Sequence, residues 1–191
     1  MAGDRPRERA DAARNRRAIL DATRALLAEH GAQAVTMEQV AVAAGVGKGT
    51  VFHRFGSRAG LLHELIAEPA VALMNAVTAG PPPLGPGASP ARRLVAYFDA
   101  MTDLVIDNLE LVVAYESVPP HPRRDEFHAF WAAHIAGLLR EVRPDLDADA
   151  VGAVLLAPLG GELVARMVRA GEADRLRASV RAVVESVLRS P

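Results

Sequence analysis

The sequence predicts an all-α protein, and three observations carry that reading. Half of the 191 residues are hydrophobic and only 4% are aromatic, with Ala, Leu, Val and Arg dominant, a composition that favours helices around a real core. Apolar residues recur in stripes at helical spacing. Gly31, Gly45, Pro119-Pro120 and Pro144 fall between those stripes, where helices stop. The length suits one full-sized domain, or a small one joined to a larger one.

Composition excludes several classes. There is no Cys, so disulfides, thiolate metal sites and thiol nucleophiles are impossible. The opening M-A-G-D-R-P-R-E-R-A is charged and lacks the apolar core of a signal peptide. The longest apolar run, Ala150 to Gly161, falls short of the roughly 20 residues that span a bilayer, and Pro158, Gly160 and Gly161 interrupt it. A cytoplasmic protein with no membrane partner is expected. Net charge is −1, but residues 1–58 hold ten basic and six acidic side chains, leaving +4 there and −5 on the remainder. A positive end on an acidic protein is a modest electrostatic footprint for phosphate.

Taken in order, the first dozen residues read as polar and mobile, with Arg5, Arg7 and Arg9 as a possible arm. A helix is expected from about Arg7 or Arg9 to His30, burying Ile19, Leu20, Thr23, Leu26 and Leu27. Next comes the stretch around which the chain is organised, Thr36 to Phe55 (T-M-E-Q-V-A-V-A-A-G-V-G-K-G-T-V-F-H-R-F). Thr36 and Gln39 fit a capping box, so a helix starts at Met37 with Val40, Ala41 and Ala44 inward. Gly45 makes the turn. A second helix from about Lys48 places Val51, Phe52 and Phe55 inward. Two short helices joined by a Gly turn form a helix-turn-helix. Small Ala41 lets them cross closely, and Val46 and Val51 fill the angle between them.

This stretch, continued through G-S-R-A-G-L, resembles the DNA-binding segment of the tetracycline-repressor (TetR) family of bacterial regulators. The resemblance covers about Arg16 to Leu65. It implies an N-terminal three-helix DNA-binding domain over residues 1–56 and a helical ligand-binding and dimerisation domain over 57–191. DNA contacts are expected from Thr36, Lys48, Gly49, Thr50, Phe52, His53, Arg54, Ser57 and Arg58. Among these, Lys48 and His53 are candidate base readers, while Thr50, Arg58 and the helix ends fix register on phosphate. Ser57 caps the following helix, whose free amides favour an anion. The sequence departs from the family at two places. Phe52 stands where Tyr is usual and lacks a hydroxyl for phosphate, and Gly47 stands where Ser is common. Gly49, costly inside a helix, permits close approach to DNA or to the preceding helix.

A fourth helix runs from Ser57 to about Ala79, kinked or interrupted at Pro69. Pro81 to Pro90 is a linker. Helices are then expected over Ala91–Asn108, Leu109–Val118 and Asp125–Val142. Tyr97, Met101, Tyr115, Phe127, Phe130, Trp131 and His134 are read as lining a ligand cavity among them, with Trp131 and His134 foremost and with Glu116 and His128 as further polar groups. The reading continues with one helix over Ala148–Ala170 and a last over Ala173–Arg189. In the family such helices pair with their symmetry mates as a four-helix bundle. That pairing implies a homodimer through Leu155, Leu159, Leu163, Val180, Val183, Val184 and Val187.

No G-x-S-x-G, P-loop or dinucleotide fingerprint is present, and no histidines show metal-ligand spacing on one helix face except loose pairs such as His128 and His134, six apart and poorly aligned. No enzyme, cofactor or metal is therefore expected. The function read from the sequence is a ligand-responsive transcriptional regulator, a repressor released from a palindromic double-stranded operator by a small, largely apolar effector. The alternative is a helical small-molecule carrier or adaptor that keeps the fold without specific DNA binding.

Overall fold

The computed structural model describes residues 5–32 and 35–189, in which ten α-helices and no strand occur. The first helix, α1 (Arg5–His30), begins inside the stretch expected to be a mobile arm; the side chains of Arg5, Arg7 and Arg9 lie outside those described. Its inward residues Ile19, Leu20, Thr23 and Leu27 are buried. Helices α2 (Met37–Ala43) and α3 (Lys48–Phe55) follow. The Thr36–Gln39 capping box is formed in both directions, at 3.2 and 2.9 Å. Gly45 makes the turn at φ +66°, a conformation that a side chain disfavours.

Helix α4 (Arg58–Ala79) runs without interruption through Pro69. An internal proline costs about 3 kcal/mol, but Leu62, Leu65, Ile66, Ala70 and Leu73 are buried on both sides of it. Packing on the two flanks holds the helix together. The Pro-rich linker leads to α5 (Pro90–Asp107), capped by Ser89 with Pro90 in the first turn, where no amide is needed. Then come α6 (Leu109–Glu116), α7 (Arg124–Val142), α8 (Ala148–Leu156), α9 (Glu162–Arg169) and α10 (Ala173–Leu188).

The single helix expected over Ala148–Ala170 is a correction: it is two helices. After α8 the chain tightens into a 3-10 turn at Ala157–Leu159, and Gly161 takes φ +90°. The segments on either side meet at 42°. Pro158 removes a helical donor and the Gly pair permits the turn. No single helix among the described residues is long and apolar enough to cross a membrane.

Three apolar clusters fill the interior. The first joins α1, α2 and α3 to the start of α4 and to Leu111, Ala114 and Tyr115 of α6. The core of the N-terminal unit is therefore not closed at Gly56 but runs on into α4 and α6. The second cluster packs the end of α4 against α5, α7, α8 and Val184 of α10. The third joins Val105, Leu109, Val164, Ala165 and Leu176. Ion pairs Arg16–Glu64 and Arg24–Glu68 also tie α1 along α4.

Candidate nucleic-acid interface and cavity

Helix α3 has one buried edge, Val51 and Phe55. The rest of it is open: Lys48, Gly49, Thr50, Phe52, His53 and Arg54 are all exposed. Phe52, expected inward, is 39% exposed, since it sits one residue, about 100° of helix, beyond the buried Val51. Its ring instead lies 5.6 Å from the Lys48 ammonium. Lys48 also pairs with Glu38 of α2. That hydrogen bond holds the Glu38 carboxyl below its ordinary range. Nothing lies within 4 Å of a Cβ built on Gly49, so this glycine is not there for the preceding helix. Thr36 and Ser57 are exposed caps at the ends of α2 and α4. Gly47 caps α3 without a side-chain bond.

Arg58 departs from its expected role. Its guanidinium is part-buried and donates to the Ala32 carbonyl at 2.5 Å, turning inward to the loop after α1. The Ala32 amide donates in turn to Glu110 of α6 at 3.1 Å, and Arg169 of α9 donates to the same carboxylate at 2.7 and 3.0 Å. This chain of bonds joins the loop after α1 to α6 and α9. The spacing of its members in sequence gives no hint of it. Gly60 was missed as well: a Cβ there would stand 2.1 Å from the Phe55 carbonyl, so α4 meets the end of α3 only through a glycine.

A cavity of about 670 Å³ lies between α4, α5, α6, α7 and the α8–α9 break. Met101, Tyr115, Phe127 and Trp131 line it, as expected, together with Glu116 and His128. Tyr97, Phe130 and His134 do not. Tyr97 is fully buried behind this wall, with its ring 5.4 Å from His134 and 5.5 Å from Trp131. Phe130 stacks on His134 at 6.3 Å, so the three rings fill one another's space in the core. Burial pushes the Tyr97 phenol up and the His134 imidazole down, the latter helped by Arg93. Arg124 also lines the cavity and was overlooked. It shares an i, i+3, i+4, i+7 stripe with Phe127, His128 and Trp131, a spacing that was available in the sequence.

One wall of the cavity reaches the N-terminal unit. Tyr115 Oη lies 3.0 Å from Nδ1 of buried His63 on α4, and His63 stacks between His121 at 4.1 Å and Phe127 at 5.5 Å. Burial first, then the charges of His121 and Arg123, keep His63 below its ordinary value.

The expected dimer residues divide. Leu159 and Val184 are 3% and 1% exposed and pack inside the protomer, while Leu155, 7% exposed, lies at the floor of the groove formed by the others. Leu163 and Val183 are 49% and 54% exposed, and Val154 is 72% exposed. With Val180, Met167 and Pro158 they line an open groove of about 640 Å³ across α8, α9 and α10. Val187 is half-buried, packed against the second cluster.

Fold and geometry thus define a helix-turn-helix protein whose N-terminal unit is continuous with a larger helical body that carries an open, largely apolar cavity. Residues 19–65 match the family described as bacterial regulatory proteins, tetR family, and the chain carries that family's N-terminal region on a TetR-like fold. Solved structures resemble it over nearly its whole length. A proposed TetR-family transcriptional regulator from Rhodococcus aligns at a TM-score of 0.69 with 22% identity, covering 92% of this chain and 99% of that one. NalD, the secondary repressor of the MexAB-OprM multidrug efflux pump in Pseudomonas aeruginosa, aligns at 0.67 with 20% identity, covering 93% and 96%. The fatty acid degradation regulator FadR of Bacillus halodurans aligns at 0.66 with 18% identity, covering 87% and 96%. No curated protein matches the chain.

Proposed function

We propose that the protein is a homodimeric, DNA-binding transcriptional repressor released from its operator by a small, largely apolar effector. The observation that carries the reading is the joint placement of two features on α4. Its N-terminal end fixes α3, whose outer face is polar, cationic and open. Further along, His63 bonds to Tyr115 in the cavity wall. An occupant that displaces Tyr115 or Phe127 acts on the helix that carries the DNA unit.

In this reading Lys48 and His53 meet base edges in the major groove, and Thr50, Arg54 and the capped starts of α2 and α4 meet phosphate. Arg58 serves by holding the loop at Ala32. A second copy covers the exposed face formed by Val154, Leu163, Val180 and Val183, bringing two α3 helices to one side of a two-fold axis. The effector lowers DNA affinity only to the extent that it binds the releasing conformation more tightly than the DNA-bound one. Footprinting on DNA flanking the protein's own gene tests the proposal. Two protected half-sites related by dyad symmetry and about one helical turn apart are expected. A uniform footprint without symmetry would contradict it and favour the carrier.

A further inference from the structure

We propose that the cavity takes an amphipathic anion, a molecule with an apolar body and one acidic head held at Arg124. The inference rests on reading the cavity as the effector site and specifies what that effector is.

Polarity in the cavity is graded along one helix. Arg124, Phe127, His128 and Trp131 follow one another down the stripe of α7 that faces the space. The charged end is the first turn of α7, and the indole lies about two turns further in. The buried lining residues Ile66, Met101, Val105 and Leu159 are apolar. A ligand with a uniform surface does not match this gradient; one with a polar end and a hydrocarbon body does.

The sign of the polar end follows from which charges are already used. Glu116 is the acidic group of the lining, and its Oε2 accepts from the Gly161 amide at 3.0 Å, at the start of α9. Gly160 packs against the same carboxylate. One oxygen of Glu116 is thus taken up by the α8–α9 break. Arg124 is not committed: among the described residues no carboxylate lies within ion-pair distance of it, and neighbouring Glu126 pairs with Arg123 at 3.8 Å. Its guanidinium rests 5.3 Å from the centroid of the Tyr115 ring, which orients it without neutralising it. Asp125 and Glu126 share that first turn but are exposed and outside the lining, so Arg124 is the charge of the turn that faces the cavity. A cationic head would face Arg124, and it would find one oxygen of Glu116 already taken by the Gly161 amide.

Trp131 is the only tryptophan in the chain and lines the cavity, so its emission reports occupancy. The test titrates full-length protein with decanoate, decyl phosphate, decanol and decylammonium, each below its micelle concentration. Both anions are expected to give saturable changes in Trp131 emission at about tenfold lower concentration than decanol, the scale of one charge-assisted hydrogen bond. Decylammonium is expected to bind more weakly than decanol. In Arg124→Gln the anions should fall to the level of decanol while decanol itself is unchanged, which also shows that the variant is folded. The stronger of the two anions identifies the head as carboxylate or phosphate. Decanol binding with no advantage for either anion, or an advantage that survives Arg124→Gln, would overturn the assignment of the head alone. If none of the four alters Trp131 emission, the cavity takes no apolar body and the effector reading falls as well.

Discussion

Lys48, the only lysine in the chain, is held between the carboxylate of Glu38 and the ring of Phe52 on the open side of the helix-turn-helix. An exposed pair of this kind adds little stability, so its consequence is for DNA. Glu38 withholds a cation from phosphate and presents an acid to any backbone that lacks the right bases. Replacing Glu38 by Gln is expected to strengthen binding to random DNA and to steepen the slope of log affinity against log salt by about 0.9, one further phosphate neutralised. Anisotropy titrations at several salt concentrations measure this, and an unchanged slope would remove Glu38 from the interface. The buried histidines give a second residue-scale expectation. His63 and His134 lie below their ordinary value of 6.5, chiefly through burial. Below that pH the unfolded chain takes up protons that the folded chain refuses, so their contribution to stability is full above pH 6.5 and is lost as pH falls through their lowered values. The urea midpoint should therefore be lower at pH 5.5 than at pH 7.5, and His134→Leu should narrow the difference. At this scale the capping residues were legible because their bonds are local, as was the exposure of Lys48 at the start of α3. Arg58 was not, because its partner, the Ala32 carbonyl, is far away in sequence and a backbone atom leaves no trace in composition.

Helix α4 joins the two halves of the molecule, and its register depends on Gly60. With the Phe55 carbonyl 2.1 Å from where a Cβ would stand, Gly60→Ala must push the start of α4 away from α3. A loss of about 1–3 kcal/mol in unfolding free energy is expected, with weakened DNA binding at temperatures where the variant is still folded. Chemical denaturation checks the first and anisotropy the second; a neutral substitution would mean that α3 and α4 are more loosely joined than the geometry implies. The helices themselves were largely legible, because stripe, cap and stop agree at most of their ends. Two proline readings failed in opposite directions. Pro69 looked disruptive, yet buried residues on both flanks carry α4 through it. Pro158 and the Gly160-Gly161 pair interrupt an apolar run that otherwise reads as one helix, and there the chain does break. Buried residues flank both prolines, so the Gly160-Gly161 pair, with Gly161 at φ +90°, separates the two outcomes.

The molecule as a whole leaves an apolar face across α8, α9 and α10, and its proposed cover is a second copy of the chain. Val183→Asp places a charge on that face at a residue 54% exposed in the protomer, so the fold should survive while association fails. Sedimentation should show wild-type dimers and variant monomers, with operator affinity down about a hundredfold or more as the second half-site contact becomes intermolecular. Periodicity marked α10 as apolar but could not say which residues face inward and which outward. Val184, at 1%, and its neighbour Val183 divide the stripe between the protomer's core and its surface. The same limit applied to the cavity: Met101, Tyr115, Phe127 and Trp131 line it, while Tyr97, Phe130 and His134 pack on one another outside its lining. The most direct test of the central claim is fluorescence anisotropy of the full-length protein on DNA from beside its own gene, with excess random competitor, at low and moderate salt. Binding of two protomers that survives the competitor and weakens with salt is the result expected of a DNA-binding regulator. No binding at either salt, in protein refolded free of any bound ligand, would contradict it and leave the fold serving as a carrier.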